Sequence, residues 1–278
     1  MGLIYALLIG LMVGSFLNVV IHRLPKALLA YWDENKNHGS IGLKAPRISP
    51  FICLIAPKST SPCCGKELRW FENIPVLSWL WLNGKCRHCS SPISVRYLLV
   101  EVMTGLCFLW SVWHFGETWT SVLFCLFFAW CVSLFFIDLE TFLLPDVLTL
   151  SLLWLGLLGS AFEMLPLAPT EAIFGACFGY MILWSINGLY RLIRKQDGFG
   201  GGDYKLLAAL GAWLGWSAII PILGLASFFA LLGISAVTLI KGEEITLEKM
   251  LPFGPFLVIS GASILVFQIE QLLYVFIK

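Results

Sequence analysis

The chain has 278 residues, of which 59% are hydrophobic and only 13% charged, whereas a soluble domain is roughly half apolar and about a quarter charged. That balance excludes a freely soluble globular protein, and a formal net charge of +1 gives no reason to expect a nucleic-acid partner. No internal repeat and no low-complexity tract is present, so the lipid bilayer is the environment the composition points to.

In chain order, apolar runs approach the about 20 residues that a roughly 30 Å hydrocarbon layer requires at 3–22, 97–115, 119–137, 147–162, 170–190, 206–216, 218–240 and 256–277. The expected fold is all-α and polytopic, with about eight transmembrane helices. The first run lacks a basic start, and His22-Arg23-Leu24-Pro25 at its end lacks a small-residue cleavage pattern, so 1–22 reads as a retained anchor. Residues 23–96 are polar, rich in Pro, Ser, Lys and Arg, and hold five of the nine cysteines; they read as a soluble insert. Residues 97–278 then form a seven-helix membrane domain. The sixth run is short, and Pro221 and Gly224 both offer an alternative break beyond it.

Orientation follows from the basic residues, because short loops rich in Lys and Arg stay in the cytoplasm. With the insert inside, it contributes 11 of the 18 Lys and Arg, residues 191–205 contribute four, and Lys241 and Lys249 two more, which places 17 of 18 on the cytoplasmic side. The short outer connections carry Glu117 and Glu163 and no basic residue.

Acids at membrane depth are costly and are therefore candidates for chemistry. In this topology Asp138 ends the third run, and Asp203, 65 residues later, opens the sixth at the same face. Asp203 precedes a helix and could serve as its cap. Asp138 lies at a helix C-terminus, where the dipole disfavours an anion and capping gives no account of it. Asp146, after Pro145, reads as a helix start, while Glu101 and Glu270 read as interfacial or packing residues. Gly200, Gly201 and Gly202 let a backbone or an extended substrate come close beside Asp203, and Lys205 is placed either to favour its ionised form or to snorkel to the interface. No Gly-Lys-Ser/Thr ending follows the glycines, which disfavours a nucleotide site.

Gly200-Gly201-Gly202-Asp203 resembles the Gly-x-Gly-Asp signature of membrane aspartyl proteases, a group that includes presenilin-like enzymes and bacterial type IV prepilin peptidases. Five segments are similar to the second branch: Gly14 to Pro25; Asn73-Ile74-Pro75 with the region of Cys86; Ile137 to Asp146 with Leu148-Thr149-Leu150 and Trp154-Leu155-Gly156; Asp203 to Gly215; and Pro252-Phe253-Gly254-Pro255. The resemblance implies a bacterial inner-membrane enzyme whose site faces the cytoplasm. It implies that Asp138 and Asp203 hold a water between them, one acting as base while the other hydrogen-bonds the scissile carbonyl. Two carboxylates held close share one proton, which makes that division possible. The implied substrates are prepilins or pseudopilins, cut after Gly at the end of a short basic leader. A second activity, methylation of the new N-terminus with S-adenosylmethionine, is implied by resemblance alone; no Rossmann pattern is present.

Cys86-Arg87-His88-Cys89 is half of a zinc ribbon, which brings four soft ligands into a tetrahedron. Prepilin peptidases often show Cys-Pro-x-Cys for the other half, but this chain reads Ser61-Pro62-Cys63-Cys64. Cys64, Cys86 and Cys89 are the expected ligands, and the fourth is open among Cys63, His88, Cys53 and water. Cys107, Cys125, Cys131 and Cys177 read as small apolar packing residues within spans. Two other readings fit parts of the pattern: a presenilin-like protease for other substrates, which leaves the cysteine insert unexplained, and a proton-coupled transporter, which would show a repeat and midplane acids.

Overall fold

A computed structural model of the chain describes residues 1–37, 64–67, 74–241 and 252–277. The described residues form α1 (Gly2–Asn37), α2 (Leu77–Trp81), α3 (Val95–Phe115), α4 (Trp119–Thr141), α5 (Asp146–Ala161), α6 (Pro169–Arg194), α7 (Gly201–Leu214), α8 (Ile219–Lys241) and α9 (Gly254–Ile277), with a 3-10 turn at Trp216–Ala218. All but α2 correspond to the expected apolar runs, and the fold is that of an all-α multi-pass membrane protein. Gly2–Asp33, Val95–Phe115, Trp119–Thr141, Pro169–Arg194 and Trp216–Ala236 are long and apolar enough to cross a membrane, while Asp146–Ala161 and Gly254–Ile269 are shorter.

The first helix differs from its expectation. It does not end at His22 but passes through Pro25 and continues to Asn37, fifteen residues beyond the composition shift. Pro25 removes one backbone donor, but the residues after it include the good helix formers Lys26, Ala27, Leu28, Leu29 and Ala30. Leu24 and Leu28 on either side of it are buried, and that packing offsets the missing bond.

The chain divides into two compact units, Met1–Ser133 and Leu134–Lys278. In the first, α1 packs along α3. A Cβ at Gly14 would fall 2.6 Å from the Cα of Glu101, so backbones approach closely where small residues recur, as helix pairs in lipid require. Glu101 is buried rather than interfacial, and its Oε2 accepts a hydrogen bond from Val76 N at 2.8 Å, fastening the insert's Ile74-Pro75-Val76 to α3. Asn18 Nδ2 donates to Tyr97 O at 3.0 Å one turn away.

In the second unit α7 is the centre, with α5, α6 and α9 against it. Every residue from Leu206 to Leu214 is buried. Fourteen residues rise only about 21 Å, which suffices because protein rather than lipid surrounds this helix. Gly175 of α6 and Gly211 of α7 touch backbone to backbone, and Trp213 Nε1 donates to Leu152 O of α5 at 2.8 Å. Cys125 and Cys131 are buried as expected, whereas Cys177 lies on an exposed face of α6.

Candidate active site

Asp138 sits one turn from the end of α4, where Phe142, with φ 54°, enters the left-handed region and stops the helix. The chain then passes through Leu144 and Pro145 into α5. Asp138 is 4% exposed, and its Oδ2 accepts a hydrogen bond from Gly254 N at 3.0 Å. Gly254 is the first residue of α9, so the carboxylate unfavourably placed on its own helix meets an unpaired donor and the positive dipole end of another. A Cβ at Gly254 would fall 2.6 Å from that oxygen; glycine is what lets the contact form. Pro252-Phe253-Gly254-Pro255 was legible as a motif, but that it holds Asp138 was not.

Asp203 is the third residue of α7 and is 8% exposed. Its Oδ2 accepts from Gly200 N at 3.1 Å, while its own N donates to Gly200 O at 3.2 Å. The capping role weighed for it is therefore real, and burial distinguishes it from an ordinary exposed cap. The two acids lie close enough for the charge of Asp138 to bear on Asp203. Leu144 links them structurally: a Cβ at Gly202 would fall 2.6 Å from Leu144 Cβ, and one at Gly254 3.2 Å from Leu144 Cδ1. Phe199 and Phe253, the residues before each N–H donor's neighbourhood, pair with ring centroids 5.2 Å apart. Tyr204 OH donates to Phe199 O at 3.1 Å. Among the described residues, the other oxygen of each carboxylate accepts no hydrogen bond, which leaves it to a water or a carbonyl.

The three glycines are not equivalent. Gly200 supplies the N-cap, Gly202 is pressed against Leu144, and a Cβ at Gly201 would meet open space. Lys205 Nζ pairs with Asp146 Oδ1 at 2.6 Å, joining α7 to the first residue of α5. That exposed pair contributes at most about 1 kcal/mol, and it gives Lys205 a partner other than Asp203.

In the first unit the thiols of Cys64, Cys86 and Cys89 lie within 4.8 Å of one another, with Cys64 Sγ 4.0 Å from Cys86 Sγ. A tetrahedral zinc with Zn–S bonds of about 2.3 Å sets its sulfur atoms roughly 3.8 Å apart, so the donor set and spacing fit that ion. The Cys86–Cys89 turn is built by Ser90 N donating to Cys86 O and Cys86 N donating to Ser91 O, each at 2.8 Å. Cys63, Ser61 and Cys53 lie outside the described residues, and His88 is exposed and outside the thiol group.

Residues 8–115 match the Bacterial Peptidase A24 N-terminal domain, and residues 125–235 match the Type IV leader peptidase family. No solved structure matches. A Pseudomonas aeruginosa protein named prepilin leader peptidase/N-methyltransferase is 44% identical over 92% of this chain and 87% of its own length. Proteins of the same name from Aeromonas salmonicida, 44% identical over 91% of this chain and 87% of theirs, and Dickeya chrysanthemi, 43% over 96% and 93%, align equally far. Similarity of that degree along nearly the whole length means that the chain belongs to the type IV leader peptidase family.

Proposed function

We propose that Asp138 and Asp203 are the catalytic pair of an aspartyl endopeptidase that removes the basic leader of prepilins or pseudopilins after Gly at the cytoplasmic membrane face. The observation that carries this reading is a pair of buried carboxylates, each anchored through one oxygen by a backbone N–H at a helix N-terminus, within electrostatic reach of one another. Fixed donors hold the side chains so that little reorganisation is needed as the reaction proceeds. The ionised member takes a proton from water as its oxygen attacks the scissile carbonyl carbon, and the protonated member donates to the carbonyl oxygen. Collapse breaks the C–N bond, and the amine leaves with the proton that water gave up. The leader keeps a new carboxylate and the mature protein a free amine.

That amine is the acceptor for the second activity, methylation with S-adenosylmethionine, which the names of the relatives support. Cys64, Cys86 and Cys89 would hold a structural zinc, whose binding energy orders a small insert lacking a core of its own. Purified full-length protein is then expected to carry one zinc per chain; metal-free protein prepared without chelator would remove this part.

The peptidase reading is tested by incubating purified protein with a synthetic precursor and S-adenosylmethionine and weighing the products. Wild type is expected to give a leader-sized loss followed by a one-methyl gain. Asp138→Asn and Asp203→Asn should each lower cleavage by at least about a hundredfold, since losing a general acid–base group alone costs roughly 10²–10⁴-fold, with methylation of pre-cleaved substrate retained. A variant that still cleaves at the wild-type rate removes that aspartate from the mechanism. Among the described residues, the presenilin-like and transporter alternatives have no observation of their own.

A further inference from the structure

We infer that Asn187 is a positioning residue of the peptidase, fixing through Gly198, Phe199 and Asp197 the glycine loop that sets the Asp203 carboxyl. The inference rests on the catalytic reading of Asp203. Asn187 belongs to α6, two turns before that helix ends at Lys195, whose φ of 56° reverses the chain. The returning segment runs back beside Asn187, which is 4% exposed. Its Oδ1 accepts from Gly198 N at 2.7 Å and from Phe199 N at 3.1 Å. Its Nδ2 donates to Asp197 Oδ1 at 3.1 Å. Two backbone donors converging on one atom settle which end of the amide is oxygen, because only oxygen can accept both.

Asp197 is held in turn. Arg191 Nε at 2.8 Å and Nη2 at 2.6 Å donate to the same Oδ1. Those bonds, with that of Asn187 second, hold the Asp197 carboxyl below the ordinary carboxylate range, so it stays ionised and available to orient the amide. The Arg191–Asp197 pair is exposed on both sides, whereas Asn187 is buried, so the amide is the anchor and the ion pair its outer brace.

The need for such an anchor lies in the loop. Residues 198–202 contain four glycines, and fixing glycine backbone carries the largest conformational entropy cost of any residue. Gly200 N must nevertheless point at Asp203 Oδ2. Fixing Gly198 and Phe199, the two residues before it, from α6, with Tyr204 OH holding Phe199 O from α7, restricts the donor to the direction the carboxylate needs. Phe199 also meets Phe253 edge to face, beside the Gly254 that holds Asp138. Misplacing the loop by a fraction of an ångström is thus expected to act on turnover rather than on capture of the precursor's hydrophobic segment.

The test measures kcat and KM for cleavage of a synthetic precursor peptide by the full chain in detergent, with Asp203→Asn alongside. Asn187→Leu is expected to lower kcat at least about tenfold, with KM within about threefold and unchanged elution as a folded species. Asn187→Asp keeps the oxygen that accepts from the two backbone N–H groups but sets a carboxylate against Asp197, and should fall similarly. Asn187→Asp combined with Asp197→Asn restores one amide and one acid, and should recover at least about half of the logarithmic loss. If Asn187→Leu does not fold, the swap decides: a double variant no better than Asn187→Asp overturns the inference. So does Asn187→Leu with wild-type kcat, or with a loss confined to KM. Should Asp203→Asn itself retain cleavage, it is the catalytic reading that fails, and the two failures are told apart.

Discussion

A methyl group added at Gly254 would fall 2.6 Å from Asp138 Oδ2, and one added at Gly202 would fall 2.6 Å from Leu144 Cβ. In the first case the obstacle is the carboxylate itself; in the second it is Leu144, which also lies beside Gly254. Gly254→Ala and Gly202→Ala are therefore expected to displace Asp138 and the start of α7 respectively. Overpacking of this kind costs roughly 1–3 kcal/mol, enough to lower cleavage by about tenfold or more if it falls on the site. Gly201→Ala, which faces open space, should lose far less. Equal losses at all three positions in a cleavage assay would show that flexibility of the loop matters and these contacts do not. Both aspartates could be read from the chain because an acid at the end of an apolar run is conspicuous. Their anchors could not: Gly254 is 116 residues from Asp138, and a backbone N–H leaves no mark on side-chain chemistry.

At the scale of elements, the pairing of α6 with α7 depends on glycine. Gly175 and Gly211 meet backbone to backbone, and a Cβ at Gly179 would lie 2.7 Å from Leu207 O. In lipid there is little hydrophobic drive between helices, so close van der Waals approach of small residues carries the association. Gly211→Val must push the helices apart, and because α7 is enclosed by α5, α6 and α9, there is no free side to yield. The expected result is a lower unfolding temperature in detergent together with loss of cleavage; a variant with wild-type melting would mean the contact is dispensable. Gly175 and Gly179, four residues apart, form a small-residue pair in the sequence, but their partner Gly211 lies on another helix and no local spacing identifies it. Helix positions were legible for the opposite reason, as length and hydropathy alone mark them. The end of α1 was not, because Pro25 and the change to polar composition both suggested a stop, while the burial of Leu24 and Leu28 that keeps the helix going is a tertiary fact.

For the molecule as a whole, the distribution of charge gives a testable expectation for its orientation in the membrane. Arg191, Arg194, Lys195 and Lys205 cluster where α6 ends and α7 begins, around Asp203. The connection between α3 and α4 carries Glu117, and that between α5 and α6 carries Glu163, with no basic residue in either. If short basic loops stay in the cytoplasm, the Asp203 end is expected inside, the side that the proposed cleavage of a basic leader requires. Alkaline phosphatase folds into its active form only outside the reducing cytoplasm. Inserted between Lys195 and Gln196 of the full chain it should be inactive, and inserted after Gly116 it should be active. Lys195 also ends α6 in a left-handed turn on an exposed surface, so an insertion there leaves the helix intact. The reverse pattern of activity would place the two aspartates on the outer face, away from the leaders they are proposed to cut, and the orientation would have to be abandoned together with the substrate.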